Sequence, residues 1–125
     1  MFKVLVVEDK KAVSEIIVEF LKILGFEADV TPTASKALEF FSHNHYYLAI
    51  IDGELPDKDG PWLVREIRKK SPYLPTIGIS GSNYKQAFLQ AGANAYLAKP
   101  FTFEELRKIL ISIVNYDVET KRAIA

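Results

Sequence analysis

Two kinds of apolar segment alternate along the chain. Short runs rich in β-branched residues fall at Lys3–Val7, Glu27–Thr31, Leu48–Ile51, Thr76–Ile79 and Ala95–Leu97. Their length and composition predict strands. The longer stretches between them carry apolar residues every three or four positions, the period of a helix with one buried face. From about Lys11 to Leu24 this spacing puts Val13, Ile16, Ile17, Phe20, Leu21 and Leu24 on one side. Gly25 ends that helix, because glycine enters the left-handed C-cap conformation without steric cost. A second helix is expected over about Thr33 to Asn44, with Ala34, Ala37, Leu38 and Phe41 inward. A third runs from about Pro61 to Lys70, where Pro61 suits a first helical position. A fourth spans about Asn83 to Ala91 and is closed by Gly92. The fifth spans about Thr102 to Asn115. Thr102 followed by Glu105 is a capping-box signature, and Leu106, Ile109, Leu110 and Ile113 form its buried stripe.

Five strands alternating with five helices predict an α/β fold, a parallel sheet covered on both faces. Val4–Val7 and Leu48–Ile51 are apolar at every position, as central strands are, whereas the more polar Glu27–Thr31 reads as an edge. Right-handed crossovers then favour a single doubly wound five-stranded sheet with strand order 2-1-3-4-5. One domain is expected over residues 1–115. Tyr116–Ala125 mixes charges without clear periodicity and reads as an extension of the last helix, a frayed end or the start of a linker.

The 125 residues suffice for one self-supporting core that buries roughly two-thirds of the chain's surface. Hydrophobic residues make up 49%, too many for a disordered chain. Lys plus Arg is 16 and Asp plus Glu is 16, so the chain lacks the cationic field that non-specific nucleic-acid binding needs. The absence of Cys excludes a disulfide scaffold, a thiolate metal site and a thiol nucleophile. No apolar run approaches the ~20 residues of a membrane span. The amino terminus enters a strand directly, without signal-peptide design, so a soluble cytoplasmic domain is expected.

In sheets wound this way, ligands bind beyond the carboxyl ends of the strands, where the winding reverses. The residues expected there are Glu8 and Asp9 after the first strand, Asp52 after the third, Ser80 after the fourth and Lys99 after the fifth. Singly, each has an ordinary structural role: Glu8 or Asp9 as a helix cap, Ser80 as a turn residue, Lys99 as a solvated charge. Together they mean more, because three carboxylates this close repel one another unless a cation intervenes. All-oxygen ligands select a hard cation, Mg²⁺ or Mn²⁺ rather than Zn²⁺. A carboxylate beside such an ion can act as a nucleophile and form an aspartyl phosphate. Lys99 and Ser80 then supply a positive charge and a hydrogen-bond donor to the transferred group.

At this point the residues resemble the receiver domain of two-component response regulators. The pair Glu8-Asp9 follows Lys3-Val4-Leu5-Val6-Val7, and Asp52-Gly53-Glu54-Leu55-Pro56-Asp57-Lys58-Asp59-Gly60 is similar to the family's Asp-x-x-Met/Leu-Pro-x-x-x-Gly. Ala91-Gly92-Ala93-Asn94-Ala95-Tyr96-Leu97-Ala98-Lys99-Pro100-Phe101 is similar to its Ala-Gly-Ala-x-x-Tyr-Leu-x-Lys-Pro-Phe. The resemblance covers about residues 3–115 and implies a flavodoxin-like (βα)5 fold. It implies that Asp52 is the phosphoacceptor. Glu8, Asp9, a carboxylate oxygen of Asp52 and the backbone carbonyl of Glu54 would hold Mg²⁺, with Mn²⁺ the second option. Ser80 would bind the phosphoryl group, Lys99 would neutralise it, and Ser80 with Tyr96 would form the switch. The Lys99–Pro100 bond would be cis. The donor would be a sensor histidine kinase or a His-containing phosphotransfer protein, and the output a downstream protein, with neither nucleic acid nor membrane bound directly. Such a chain catalyses its own Mg²⁺-dependent phosphorylation and dephosphorylation without turning over a small substrate.

Three features depart from the family pattern. Ser80-Gly81-Ser82 places Gly where a small residue with a β-carbon is common. Ser80 to Lys99 spans 19 positions, short for the family, so the fourth helix or the loop into it must be short. Glu54 puts an acid two places after Asp52, where it can position or exclude water. Elsewhere, Trp62 is expected to pack at the core or its rim, and His43 and His45 to sit at a helix C-terminus. Lys10-Lys11, Arg68-Lys69-Lys70 and Lys121-Arg122 are expected to be solvated. No output domain is visible, so the chain is expected to be either a stand-alone regulator or a piece of a larger one. The alternative function is a receiver-like interaction module independent of phosphorylation. Asp52-x-Glu54 also faintly resembles the Asp-x-Asp of haloacid-dehalogenase-type phosphatases, but no cap domain excludes water. A mononucleotide site fails because Glu8 and Asp9 stand where the phosphate would lie.

Overall fold

In the computed structural model, which describes the backbone of residues 2–124 and the side chains of residues 2–115, strands and helices alternate strictly. The strands are β1 (Lys3–Val7), β2 (Glu27–Thr31), β3 (Leu48–Asp52), β4 (Thr76–Ser80) and β5 (Ala95–Ala98). The helices are α1 (Lys11–Ile23), α2 (Ala34–His43), α3 (Gly60–Lys70), α4 (Lys85–Ala91) and α5 (Phe103–Ile124). All strands are parallel, in the order β2-β1-β3-β4-β5.

The alternation of side chains along the central strands divides the core in two. Leu5, Val7, Ala49 and Ile51 face α2, α3 and α4, where Ala37, Leu63, Ile67 and Phe88 meet them. Val4, Val6, Ile50, Ile77 and Ile79 face α1 and α5, against Ile17, Leu21, Leu106 and Leu110. Each fully buried aliphatic side chain contributes about 1.5–3 kcal/mol relative to exposure, so the sheet centre is the stable part of the molecule and its carboxyl edge is carried on it.

Most helix ends follow the sequence signals. Gly25 (φ +89°) and Gly92 (φ +106°) take the left-handed conformation. Thr102 and Glu105 form the reciprocal capping box, with Glu105 N–H donating to Thr102 Oγ1 at 3.1 Å and Thr102 N–H to Glu105 Oε1 at 3.0 Å.

Four expectations change. Ile16 is 53% exposed, and Ser14 is buried in its place on α1. Helix α4 begins at Lys85 rather than Asn83 and has only seven residues, which is where the short Ser80–Lys99 spacing is absorbed. Helix α5 starts at Phe103 and its backbone runs on to Ile124, beyond the Asn115 end read from its apolar stripe and in line with the helix-extension reading of the tail. Arg68 is not a solvated charge. Its guanidinium donates to the carbonyls of Leu74 and Gly92 and to Asn94 Oδ1, tying the end of α3 to the α4–β5 turn. Burial lowers its pKa from the ordinary arginine value. Among the described residues, no helix is long and apolar enough to cross a membrane.

Candidate functional site

Asp52 and Ser80 are the last residues of β3 and β4, and their backbones still pair in the ladder (Asp52 with Ile79, Ser80 with Ala98). Strand β1 delivers Glu8 immediately after Val7, and the Glu8 N–H donates to Thr31 O at 3.0 Å. Lys99 directly follows β5, and its N–H donates to Ser80 O at 2.8 Å. Four neighbouring strands therefore place these groups at one end of the sheet. Asp52, Ser80 and Lys99 border a cleft of about 510 Å³ lined also by Asp9, Lys10, Glu54 and Ser82, among others.

The carboxylates converge as the charge argument requires. Glu8, Asp9 and Asp52 each present an oxygen within 4.8 Å of the other two. Glu8 and Asp52 are buried, and Asp9 is exposed at the mouth. Lys99 Nζ lies 2.7 Å from Glu8 Oε1 and 3.2 Å from Asp52 Oδ1. Burial pushes the Glu8 carboxyl up from its usual value, and the Asp52 charge adds to that, while the hydrogen bond from Lys99 opposes it. Burial pulls the Lys99 ammonium down, but its hydrogen bond to Glu8 and the charge of Asp52 outweigh this and hold it above its ordinary value. An ammonium clamped between two acids is thus kept charged where it is needed.

Ser80 is buried, and its Oγ accepts from the Ser82 N–H at 3.0 Å. The Ser82 hydroxyl donates to Glu54 Oε1 at 2.7 Å, across the mouth of the cleft. The half-buried Tyr96 donates its hydroxyl to Ser82 O at 2.9 Å and lies 3.4 Å from Ser80 O. The Lys99–Pro100 peptide is cis. Trp62 is partly buried against the core, with Lys58 Nζ 5.3 Å from its ring centre. His43 Nδ1 lies 3.0 Å from Glu39 O at the end of α2 and contributes nothing to the site.

Two residues near the site gave no signal in the sequence. Asp57, on the loop after β3, accepts hydrogen bonds from the N–H groups of Ala34 and Ser35 at 2.9 Å each. Tyr84 lays its ring over Gly53, so close that a β-carbon on Gly53 would stand 2.8 Å from it. The only sequence hint was the choice of residue types: an acid in a loop and a glycine beside Asp52.

Residues 4–111 match the family model described as the response regulator receiver domain. The chain belongs to this family. It is 36% identical over 116 residues to the two-component response regulator PhoP of Pseudomonas aeruginosa, covering 90% of this chain and 52% of that protein. It is 31% identical over 107 residues to the transcriptional regulatory protein RprY of Bacteroides fragilis, covering 83% of this chain and 45% of that protein. The chain therefore spans about half the length of the curated relatives it matches. Among solved structures it is similar to a putative response regulator from Chloroflexus aurantiacus, with TM-score 0.87 and 31% identity over 91% of this chain and 98% of that one. It is equally similar in sequence (31%) to the response regulator TrrA of Thermotoga maritima in complex with Mg²⁺ and BeF, with TM-score 0.84 over 90% of this chain and 99% of that one. The receiver fold, with its 2-1-3-4-5 sheet, and the phosphorelay role of such domains thus agree with the expectations from sequence. The acidic cluster is of the kind that suits Mg²⁺.

Proposed function

We propose that this chain is a cytoplasmic receiver over residues 1–115 that takes a phosphoryl group onto Asp52 from a histidine kinase or His-containing phosphotransfer protein. The convergence of Glu8, Asp9 and Asp52 within 4.8 Å, with Lys99 bonded to two of them, carries this reading. An Asp52 oxygen attacks phosphorus, the P–N bond to the donor's imidazole breaks, and that imidazole leaves with its electron pair. Lys99 and Ser80 balance charge and donate hydrogen bonds to the phosphoryl oxygens, which is most of what this reaction asks of a protein.

The donor set fits a divalent cation: it is all oxygen, two-thirds buried, and gathered tightly enough to share one ion. Glu8, Asp9, Asp52 and the carbonyl of Glu54 would hold Mg²⁺, or Mn²⁺ in its place. When bound, the ion supplies positive charge against the oxygens of the transferred group. Ser80 and Tyr96 form the switch in this reading, because Tyr96 already bonds the loop that follows Ser80. Its output goes to a downstream protein.

Incubation with acetyl phosphate and Mg²⁺, followed by intact mass, tests the proposal. The wild-type chain gains one phosphoryl group and Asp52→Asn gains none. No gain with any phosphodonor overturns it. The short α4, without a side-chain cap, favours one competing reading, an interaction module indifferent to phosphorylation. Partner binding that ignores both Asp52→Asn and beryllofluoride selects that reading.

A further inference from the structure

The loop from Gly53 to Asp59 is closed on itself and fastened at its tip. At its base, Gly60 N–H donates to Gly53 O at 2.9 Å, and Gly53 N–H to Ile79 O at 2.8 Å. Glu54 pairs with Asp59 in an isolated antiparallel bridge, and Asp59 caps α3 by accepting from Trp62 N–H at 2.8 Å. The tip is held by Asp57, which reaches across to another helix. Its two carboxylate oxygens take the Ala34 and Ser35 N–H groups, the first two orphan donors of α2. The next donor of α2, Lys36 N–H, is satisfied locally by Thr33 Oγ1 at 3.1 Å.

Helix α2 is therefore capped by two residues with different consequences. Thr33 belongs to the helix it caps. Asp57 belongs to the loop that carries Glu54, three residues away, and does not line the acidic cleft. A carboxylate on a helix N-terminus is favoured by the helix dipole and by charge-assisted bonds. This anchorage fixes the loop at the far end from its base, with Glu54 between the two.

We propose that Asp57 is a positioning residue for the metal site: by docking on α2 it fixes the loop backbone at Glu54, a residue that lines the cleft and whose carbonyl would serve the ion. The inference rests on the receiver reading above, in which that carbonyl is a Mg²⁺ ligand. Residues that orient a metal ligand typically change affinity 10- to 100-fold when removed. Asp57 acts on one neutral ligand through three residues of backbone, so a loss of about three- to tenfold is expected.

The test compares Asp57→Ala, Asp57→Asn and Thr33→Ala in the full chain. Each is titrated with MgCl₂ alone by calorimetry, well below its melting temperature and with helicity checked by circular dichroism. Thr33→Ala removes a cap of the same helix without touching the loop. It lowers the melting temperature and leaves the Mg²⁺ dissociation constant at the wild-type value. Asp57→Ala weakens Mg²⁺ binding three- to tenfold, and Asp57→Asn, which keeps one acceptor oxygen, falls between. Equal Mg²⁺ affinity in all four proteins overturns the proposal and leaves Asp57 a helix cap only. Failure of the wild-type chain itself to bind Mg²⁺ overturns the receiver reading instead, so the two failures are told apart.

Discussion

The two loops that flank the acidic cleft are built on opposite plans. The loop after β3 carries Glu54, two residues past Asp52, and is bonded at its base, capped onto α3 and docked on α2. The loop after β4 carries Ser82, two residues past Ser80, and its outer residues, Gly81, Ser82 and Asn83, are all exposed. Beyond its own short-range bonds, the ties of its outer residues among the described residues are the Ser82 hydroxyl to Glu54 and Tyr96 to the Ser82 carbonyl. The helix it leads into has seven residues and no side-chain cap. The difference separates two jobs. The acids that gather charge are fixed in advance, so no reorganisation opposes the transfer. The exposed residues just past Ser80 sit where movement costs few bonds.

Glycine substitutions break this comparison most sharply. A β-carbon on Gly60 would lie 2.3 Å from the Asp52 backbone oxygen and 2.5 Å from the Phe88 ring. Gly60→Ala is therefore expected to cost about 3 kcal/mol, the upper part of the range for overpacking, read from urea denaturation. A smaller effect concerns pH. Burial pushes the Asp57 carboxyl up, but its backbone hydrogen bonds, those from Ser35 and Ala34 foremost, together outweigh this and hold it below the usual aspartate value. Its unfolded form binds a proton more readily than its folded form. The stability it contributes is thus complete above the ordinary range, near pH 4, and is lost as pH falls through its lowered folded value. Asp57→Asn should flatten the fall in melting temperature on the acid side and leave the neutral-to-alkaline shape unchanged. The smallest effect belongs to the loose loop. A β-carbon on Gly81 would meet nothing within 4 Å, and its φ is not positive. Gly81→Ala should be neutral or stabilise by up to about 1 kcal/mol, through the unfolded chain. A large loss there would show the β4–α4 loop to be as constrained as its neighbour.

Much of this was legible in the chain because it is written in local signals. Strands Lys3–Val7 and Glu27–Thr31 appear with the boundaries their apolar pattern predicts. Strands β3, β4 and β5 run one residue further, because pattern follows side chains whereas ladder bonds follow backbone, and Asp52, Ser80 and Ala98 still pair. Topology dictates which residues stand at the strand tips, so Glu8, Asp9, Asp52, Ser80 and Lys99 are legible as neighbours from the strand order alone. What escaped notice was long-range. Arg68 looked solvated within Arg68-Lys69-Lys70, yet its partners are a carbonyl and an amide oxygen 24 and 26 positions away. Asp57 carries no local signal of its role, and its partners lie 22 and 23 positions earlier. Hydrophobic periodicity carries no record of which backbone group a charged side chain will meet. Ile16 failed for a simpler reason: the apolar stripe of α1 is wider than the surface available to cover it.

The Arg68 bonds have a mechanical corollary. They seize the turn at the carboxyl end of α4, through Gly92 and Asn94, and moor it to the end of α3. The amino end of the same helix, at Tyr84, has no such mooring and adjoins Gly53 beside Asp52. A rod held at one tip does not slide; it pivots. Any excursion of α4 is therefore an arc about the Arg68 anchor, and its widest sweep falls at the tip nearest Asp52.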